Sequence, residues 1–404
     1  MLLKLAWRNI WRNKRRSLIV VTAVVIGLVS LIFTDSLSVG MIRQMLDNQI
    51  GSHISHIQIH KNGFNDNKII QNCIPDYEKV ETILQSDPSI SHYSKRVITY
   101  GLISSASNSS GISIVGIDPK EEENITIIKK LMVEGEYLTD KKRDIVIGKK
   151  LSEKLGVGIG DKIVLMVTNF SGNVATDVFR VAGLYETSFS EFDRVTAYID
   201  IGIAQEFLGI TGKISEFAII VNNVEKVETI KETLAGRLGS SYEVMSFVDI
   251  IPAIILMVDS YDEMILVYYL IIGLATIFGI INVMLMSVFE RVREFGVLMA
   301  MGMKNFKIFF MILSEALLLS SCGMIIGIII GVGIYLPLSY SGINFSAFAE
   351  GLTMVGISAI VYPALTMQGV LNAIFIIPVI SVVAAIYPAY RAISLQPVIA
   401  IRYV

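Results

Sequence analysis

Four stretches of this chain are almost free of charge: residues 18–33, 264–289, 308–337 and 369–387. A helix rises about 1.5 Å per residue and the hydrocarbon core of a bilayer is about 30 Å thick, so roughly 20 apolar residues cross it. Each stretch is that long or nearly so, and the sequence predicts four membrane-spanning helices. Charged residues make up only 17% of the chain, against about 25% in an ordinary soluble domain. A further segment, AFAEGLTMVGISAIVYPALT (347–366), is moderately apolar but carries Glu350 and Pro363, and reads as interfacial.

Basic residues orient the spans. Lys14, Arg15 and Arg16 precede the first, Arg291, Arg293, Lys304 and Lys307 lie between the second and third, and Arg391 and Arg402 follow the fourth. Four spans put all three clusters on one side, which the positive-inside bias makes cytoplasmic, together with both termini. The expected divisions are 1–40, an interfacial helix and first span; 41–262, an extracytoplasmic domain of ordinary soluble composition; and 263–404, a membrane domain with three spans and a short cytoplasmic helix at 290–307. In LLKLAWRNIWRN, Trp7 and Trp11 fall on one helical face and Lys4, Arg8 and Arg12 on another, the pattern of a helix lying at headgroup depth. No small-residue cleavage site follows Phe33, so an uncleaved signal-anchor is expected.

Between the first two spans, ISHIQIH, VITYGLIS, ISIVGID, DIVIG, KIVLMV, VFRVAGLY and VTAYIDI read as short strands, and YEKVETILQSD, LSEKLG and VEKVETIKETLAGRLG as helices. Their irregular order predicts an α+β fold with two subdomains. Glycines 156, 158 and 160 follow a helix and precede a strand, the reverse of what phosphate binding requires, and predict a turn.

No G-x-x-x-x-G-K-[ST], H-E-x-x-H or G-x-S-x-G occurs, so no enzymatic site and no cofactor of its own is expected for this chain. Cys73 and Cys322 fall in different domains and form no disulfide framework, and a net charge of −2 gives no reason to expect nucleic acid. His53, His56 and His60 cluster, and histidine is the commonest zinc ligand. His56 and His60 share a strand face but stand two steps of about 6–7 Å apart, too far to chelate one ion unaided. They read as solvated strand histidines.

Within the spans the informative residues are small or polar. Gly323, Gly327 and Gly331 recur every fourth position, and Ala275 and Gly279 form a matching pair; such stripes let helices approach closely. They pack either within the chain or against a second chain, and the second is favoured because four spans enclose little. Glu315 is a costly carboxylate inside a span, expected to pair with a basic residue of 291–307. In that segment, Val292, Phe295, Met299, Met303 and Phe306 form one apolar stripe, expected to lie against the membrane underside, with Glu290, Glu294, Val297 and Met301 on another flank. Such a helix fits a partner's groove, with apolar anchors for affinity and charges for register.

These residues also carry a resemblance. ERVREFGVLMAMGMKNFKIFFMILSEALLLS resembles the "ER-x-x-E-[FIV]-G-x-x-x-A-[LM]-G" coupling segment and following "E-A" of the ABC transporter permeases grouped with FtsX, MacB and the lipoprotein-releasing subunits LolC and LolE. YPAYRAISLQPVIAIR resembles their "YPA-x-RA-x-x-x-P-x-x-ALR" ending. VEGEYL, DIVIGKKLSEKLGVGIGDKIVL and FRVAGLYETSFSEFDRVTAYIDIGIAQEFLG are similar to the lipoprotein-releasing branch, including "F-D" at Phe192-Asp193. The resemblance implies a membrane α-helical subunit of four transmembrane helices. A large extracytoplasmic α+β domain, the MacB-like periplasmic core, is inserted between helices 1 and 2, ahead of an FtsX-like permease domain.

It further implies a multi-pass protein of the inner (plasma) membrane that pairs with a second, identical or related, permease. A cytoplasmic ABC ATPase dimer binds the ATP and magnesium, and a lipoprotein or other amphiphilic cargo is released outside. Glu290, Arg291, Glu294, Phe295, Gly296, Ala300 and Gly302 match the ATPase-docking segment, and Arg293 lies within it. Drug or peptide export, as by MacB, and control of a cell-wall hydrolase, as by FtsX, are the alternatives. The chaperone-recruiting subunit of that branch carries a long proline-bearing loop; the corresponding TNFSGNVATD (168–177) is short and lacks proline.

Overall fold

The computed structural model describes Arg8, Arg12 and residues 14–138 and 143–394. Most of the N-terminal amphipathic run and the last part of the YPAYRAISLQPVIAIR ending, with Arg402, lie outside the described residues. The chain forms a helical unit, residues 1–42, 258–344 and 360–404, and a sheet unit, residues 43–257 and 345–359.

Among the described residues, four helices are long and apolar enough to cross a membrane, as the four charge-poor stretches predict. The helical unit is built on α1 (Lys14–Gln49), α2 (Tyr261–Glu290), the short α3 (Val292–Ala300), α4 (Asn305–Ser341) and α5 (Met367–Ile393). At 36 and 37 residues, α1 and α4 each exceed about 50 Å, well beyond a bilayer core of about 30 Å. Their polar ends stay helical past the apolar runs because backbone hydrogen bonding continues where hydropathy stops.

Buried positions recur every third or fourth residue and meet in one core: Val24, Leu28 and Leu31 of α1, Ile280, Met284 and Val288 of α2, Met311 and Leu319 of α4, and Ile377 and Ala385 of α5. The opposite faces stay apolar and exposed, as in Leu266, Leu270, Leu274 and Phe278 of α2. That is the surface of a bundle solvated by hydrocarbon.

In the sheet unit the strands are β1 (Ile57–Lys61), β2 (Ile90–Ser104), β3 (Ser109–Ile117), β4 (Met132–Gly135), β5 (Asp144–Gly148), β6 (Lys162–Thr168), β7 (Val174–Tyr185), β8 (Thr196–Asp200), β9 (Glu216–Val221) and β10 (Tyr242–Ser246). All belong to a single mixed sheet, ordered β10-β1-β9-β2-β3-β8-β5-β7-β4, with β6 pairing to β2 and β7. The α+β class holds, but the two expected subdomains do not separate. The 15-residue β2 pairs with β9 along its first half and with β3 and β6 along its second, so one strand serves both wings. Each wing keeps its own apolar core, one around Ile59, Leu84, Phe217 and Leu234, the other around Ile103, Leu151, Leu165 and Ile199. The triple-glycine stretch is a turn, with Gly156 capping the preceding helix at φ +66°.

The 347–366 segment, expected to be interfacial, is divided between the two units. Ala349–Met354 is a short helix of the sheet unit, where Ser190 donates to Thr353 Oγ1 at 2.8 Å and the hydroxyls of Ser188 and Ser358 lie 2.8 Å apart. Ile360–Val361 instead pairs with Ile343–Asn344 in the helical unit.

Candidate functional site

The stretch expected to form one helix over 290–307 is three pieces. Glu290 ends α2, Arg291 breaks the helix at φ −109° and ψ 11°, and α3 restarts from Val292. Gly302 closes α3 at φ +90°, a left-handed position that favours glycine, while Gly302 and Met303 return their N–H groups to the carbonyls of Met299 and Leu298. Lys304 then precedes α4.

Val292 and Phe295 are fully buried, Phe295 in the bundle core, and Met299 and Met303 pack against that core, so most of the stripe faces protein rather than the membrane underside. Phe306 does not belong to it. It opens α4 and is 69% exposed, because the turn at Gly302 resets the helical phase. Gly296 is buried; Glu290, Arg293, Val297, Ala300 and Met301 are exposed. A narrow surface strip of mixed charge and apolar groups therefore lies over a buried floor.

That floor is polar at one point. Arg291 donates from Nη1 to Glu315 Oε2 at 3.0 Å and from Nε to Glu294 Oε2 at 3.1 Å, and its guanidinium lies 5.1 Å from the Phe295 ring centre. Arg12 donates to the other oxygen of Glu294. Glu315 is 1% exposed. The pairing expected for Glu315 is thus made, and by the residue that breaks α2. Burial works against the charge of Glu294, but the bonds from Arg12 and Arg291 hold its carboxyl below the usual carboxylate range. The cluster ties α3 to α4 and to Arg12 by directed bonds.

The glycine stripe of α4 is filled from within the chain. A Cβ on Gly323, Gly327 or Gly331 would lie 2.7–3.1 Å from Val24, Leu28 and Ile32 of α1. Packing of this stripe on a second chain, the reading favoured from sequence, is therefore corrected: α1 already fills it. Gly279 faces Ala23 of the same helix, whereas Ala275 is exposed.

Sequence reasoning missed Asp35. It is 5% exposed within α1, where the Tyr261 hydroxyl donates to its Oδ1 at 2.8 Å. The signal was a carboxylate two residues beyond an apolar run, which resembles the end of a span rather than its continuation.

The sheet unit hides a second charged cluster. His60, Glu216 and Arg96 stand in register across β1, β9 and β2. His60 Nε2 and Glu216 Oε2 lie 2.8 Å apart, and Arg96 donates to Glu216 at 2.8 Å and twice to Glu122, at 3.1 and 2.6 Å. A fourth bond, at 2.8 Å, runs from Arg96 to the carbonyl of His53. The histidines are therefore not solvated strand residues. His60 is buried on Glu216, the His53 ring stacks on Phe192 at 4.5 Å, and His56 Nδ1 accepts the Val221 N–H at 3.1 Å. They are dispersed among different partners, and among the described residues no group of three or more acidic, histidine or cysteine residues is placed to hold a metal.

Comparison with known proteins gives two family matches. Residues 17–237 match the MacB-like periplasmic core domain and residues 266–397 the FtsX-like permease C-terminal domain. The uncharacterized ABC transporter permease YvrN of Bacillus subtilis is 22% identical over 99% of both chains. The lipoprotein-releasing system transmembrane protein LolC of Buchnera aphidicola is 24% identical over 98% of this chain and 96% of its own. Among solved structures, the extracellular domain of the noncanonic ABC-type transporter YknZ aligns over 48% of this chain and 100% of its own, at 16% identity and a TM-score of 0.33.

Proposed function

Since the chain belongs to the ABC transporter permeases that join a MacB-like periplasmic core domain to an FtsX-like permease C-terminal domain, we propose that it relays the stroke of a separate cytoplasmic ATPase outward to release lipoproteins from the outer leaflet of the inner membrane. The observation that carries the relay is the strip of Glu290, Arg293, Val297 and Met301 seated on the buried Arg291–Glu315 pair. Exposed side chains of mixed character supply the docking face, and the ion pair beneath makes that face rigid with α4. ATP and magnesium are held by the partner ATPase dimer, and a second permease completes the assembly. In this arrangement both termini and α3 are cytoplasmic, and the sheet unit is extracytoplasmic.

Lipoprotein release as the task is supported by near-full-length likeness to LolC. The loop between β6 and β7 is only Asn169–Asn173, turned by Gly172 at φ +82°, which offers little for a soluble chaperone to grasp. This chain accordingly serves as the releasing or transmitting subunit rather than the chaperone-docking one. The test is affinity purification from membranes in mild detergent with mass spectrometry of what copurifies. An ABC ATPase together with lipidated proteins is the expected result. Recovery of an intact chain with no ATPase overturns the relay, and an ATPase accompanied by a hydrolase or a tripartite adaptor overturns lipoprotein release.

A further inference from the structure

A cavity of about 290 Å³ opens on one face of the sheet, and the His60–Glu216–Arg96 row forms part of its floor. At about 30 Å³ per water, it has room for a ligand of roughly ten heavy atoms. Aromatic rings stand around it: Phe64 stacks on His60 at 4.8 Å, Phe192 stacks on His53, and Tyr100 is half exposed at the edge.

The floor is unevenly satisfied. Arg96 has its donors committed to Glu122, Glu216 and the His53 carbonyl, leaving two buried carboxylates to one guanidinium. His60 is 3% exposed and its Nδ1 has no hydrogen-bond partner among the described residues; the same holds for Nδ1 of His53, which also lines the cavity. In the neutral tautomer that gives Nε2–H to Glu216, that Nδ1 is an acceptor without a donor. Among the described residues of the lining, the cation left to meet a ligand is Lys68, exposed at the rim. Acceptors and surplus negative charge below, aromatic walls and a cation above form the pattern that complements a small molecule with a primary ammonium at one end and an acid at the other.

We propose that this cavity binds such a zwitterion, ammonium toward Glu216 and His60 and acidic group toward Lys68. The chemistry is shared by a free solute and by an ethanolamine phospholipid headgroup. The site is independent of the cargo assigned above.

The experiment is titration of the full-length protein in detergent with O-phosphoethanolamine, read by calorimetry and thermal shift, against ethanolamine and inorganic phosphate separately. O-phosphoethanolamine is expected to bind at least tenfold more tightly than either fragment. Lys68→Ala is expected to weaken it about threefold, as for an exposed charge pair, and Glu216→Gln more than tenfold. If Glu216→Gln does not fold, Tyr100→Ala, at an exposed position, is expected to weaken binding severalfold through loss of the aromatic wall. Repeating the titration in nanodiscs separates the sources: phosphatidylethanolamine suppresses it if the headgroup is the ligand, and leaves it unchanged relative to phosphatidylglycerol if the ligand is a solute. No binding, equal binding of phosphate alone, or affinity indifferent to Lys68→Ala and Tyr100→Ala overturns the proposal.

Discussion

Arg291, in the break between α2 and α3, reaches Glu315 inside α4 across 3.0 Å, and both side chains are buried. Removing one member leaves the other charge unpaired away from water, which costs about 3–5 kcal/mol, whereas replacing both with apolar groups of similar size is often neutral. Glu315→Gln and Arg291→Met are each expected to lower the melting temperature of the protein in detergent. The double variant Arg291→Met with Glu315→Leu is expected to recover most of it. If the pair also transmits force, the recovered double variant still fails to couple ATP hydrolysis to cargo release in proteoliposomes.

The exposed strip over that pair separates docking from folding. Val297→Asp and Met301→Asp alter side chains that stand in solvent, Met301 being 71% exposed, and are expected to shift stability by no more than about 0.5 kcal/mol. The same changes are expected to weaken ATPase copurification at least tenfold. Phe295→Ala behaves oppositely, because its ring is in the core: about 3–5 kcal/mol of stability is lost, visible in the melting curve before any partner is added.

The features legible in the sequence were those written in local pattern. Four apolar runs gave four spans, DIVIG gave β5 residue for residue, and a carboxylate at 315 beside a basic segment gave the ion pair. What the sequence hid was long-range. Nothing near Arg96 announces Glu122 or Glu216, which reach it only because β2 and β9 pair and the turn after β3 folds back. The only signal was a charge opening the otherwise apolar EFAIIV of β9. Phe306 misled because a helical stripe was continued through Gly302, whose positive φ ends one helix before the next begins. The glycine stripe was assigned to the wrong partner because spacing shows that a helix can be approached and not which helix approaches.

That stripe makes a quantitative test. A Cβ at Gly327 would sit 2.8 Å from Leu28 Cδ2 and 3.2 Å from its Cβ, whereas one at Gly333 meets nothing within 4 Å. Forcing a methyl into a packed contact costs about 1–3 kcal/mol. Gly327→Ala is expected to destabilise the protein by that amount in thermal melts, and to cost less when made in a Leu28→Ala background, where the clash is gone. Gly333→Ala is expected to be neutral or slightly stabilising, since alanine is the better helix former. Equal effects at both positions count against close packing of α1 on α4.

A pH experiment distinguishes Asp193 from the other buried carboxylates of the sheet unit. Burial pushes its carboxyl up to about 6 even though the N–H and hydroxyl of Thr187 donate to it at 2.8 and 2.7 Å. A folded-state value above the unfolded one, 3.8, means that the fold favours the protonated form. Its contribution to stability is therefore complete below about pH 4 and is lost as the pH rises through about 6. Glu216 has the opposite sign: burial opposes its charge, but His60 and Arg96 hold its carboxyl below the usual value, so its contribution fades on acidification. The profile of the unmodified protein mixes the two, and the informative quantity is the difference from Asp193→Asn, which can keep both Thr187 contacts without titrating. Between its unfolded and folded values the carboxyl costs the fold about 1.4 kcal/mol for each pH unit. Unfolding measured from pH 4 to 7 is therefore expected to show the unmodified protein losing about 2–3 kcal/mol relative to the variant. Parallel curves across that range would mean that the carboxylate is ionised at no cost in the folded protein, and that its bonds to Thr187 outweigh its burial.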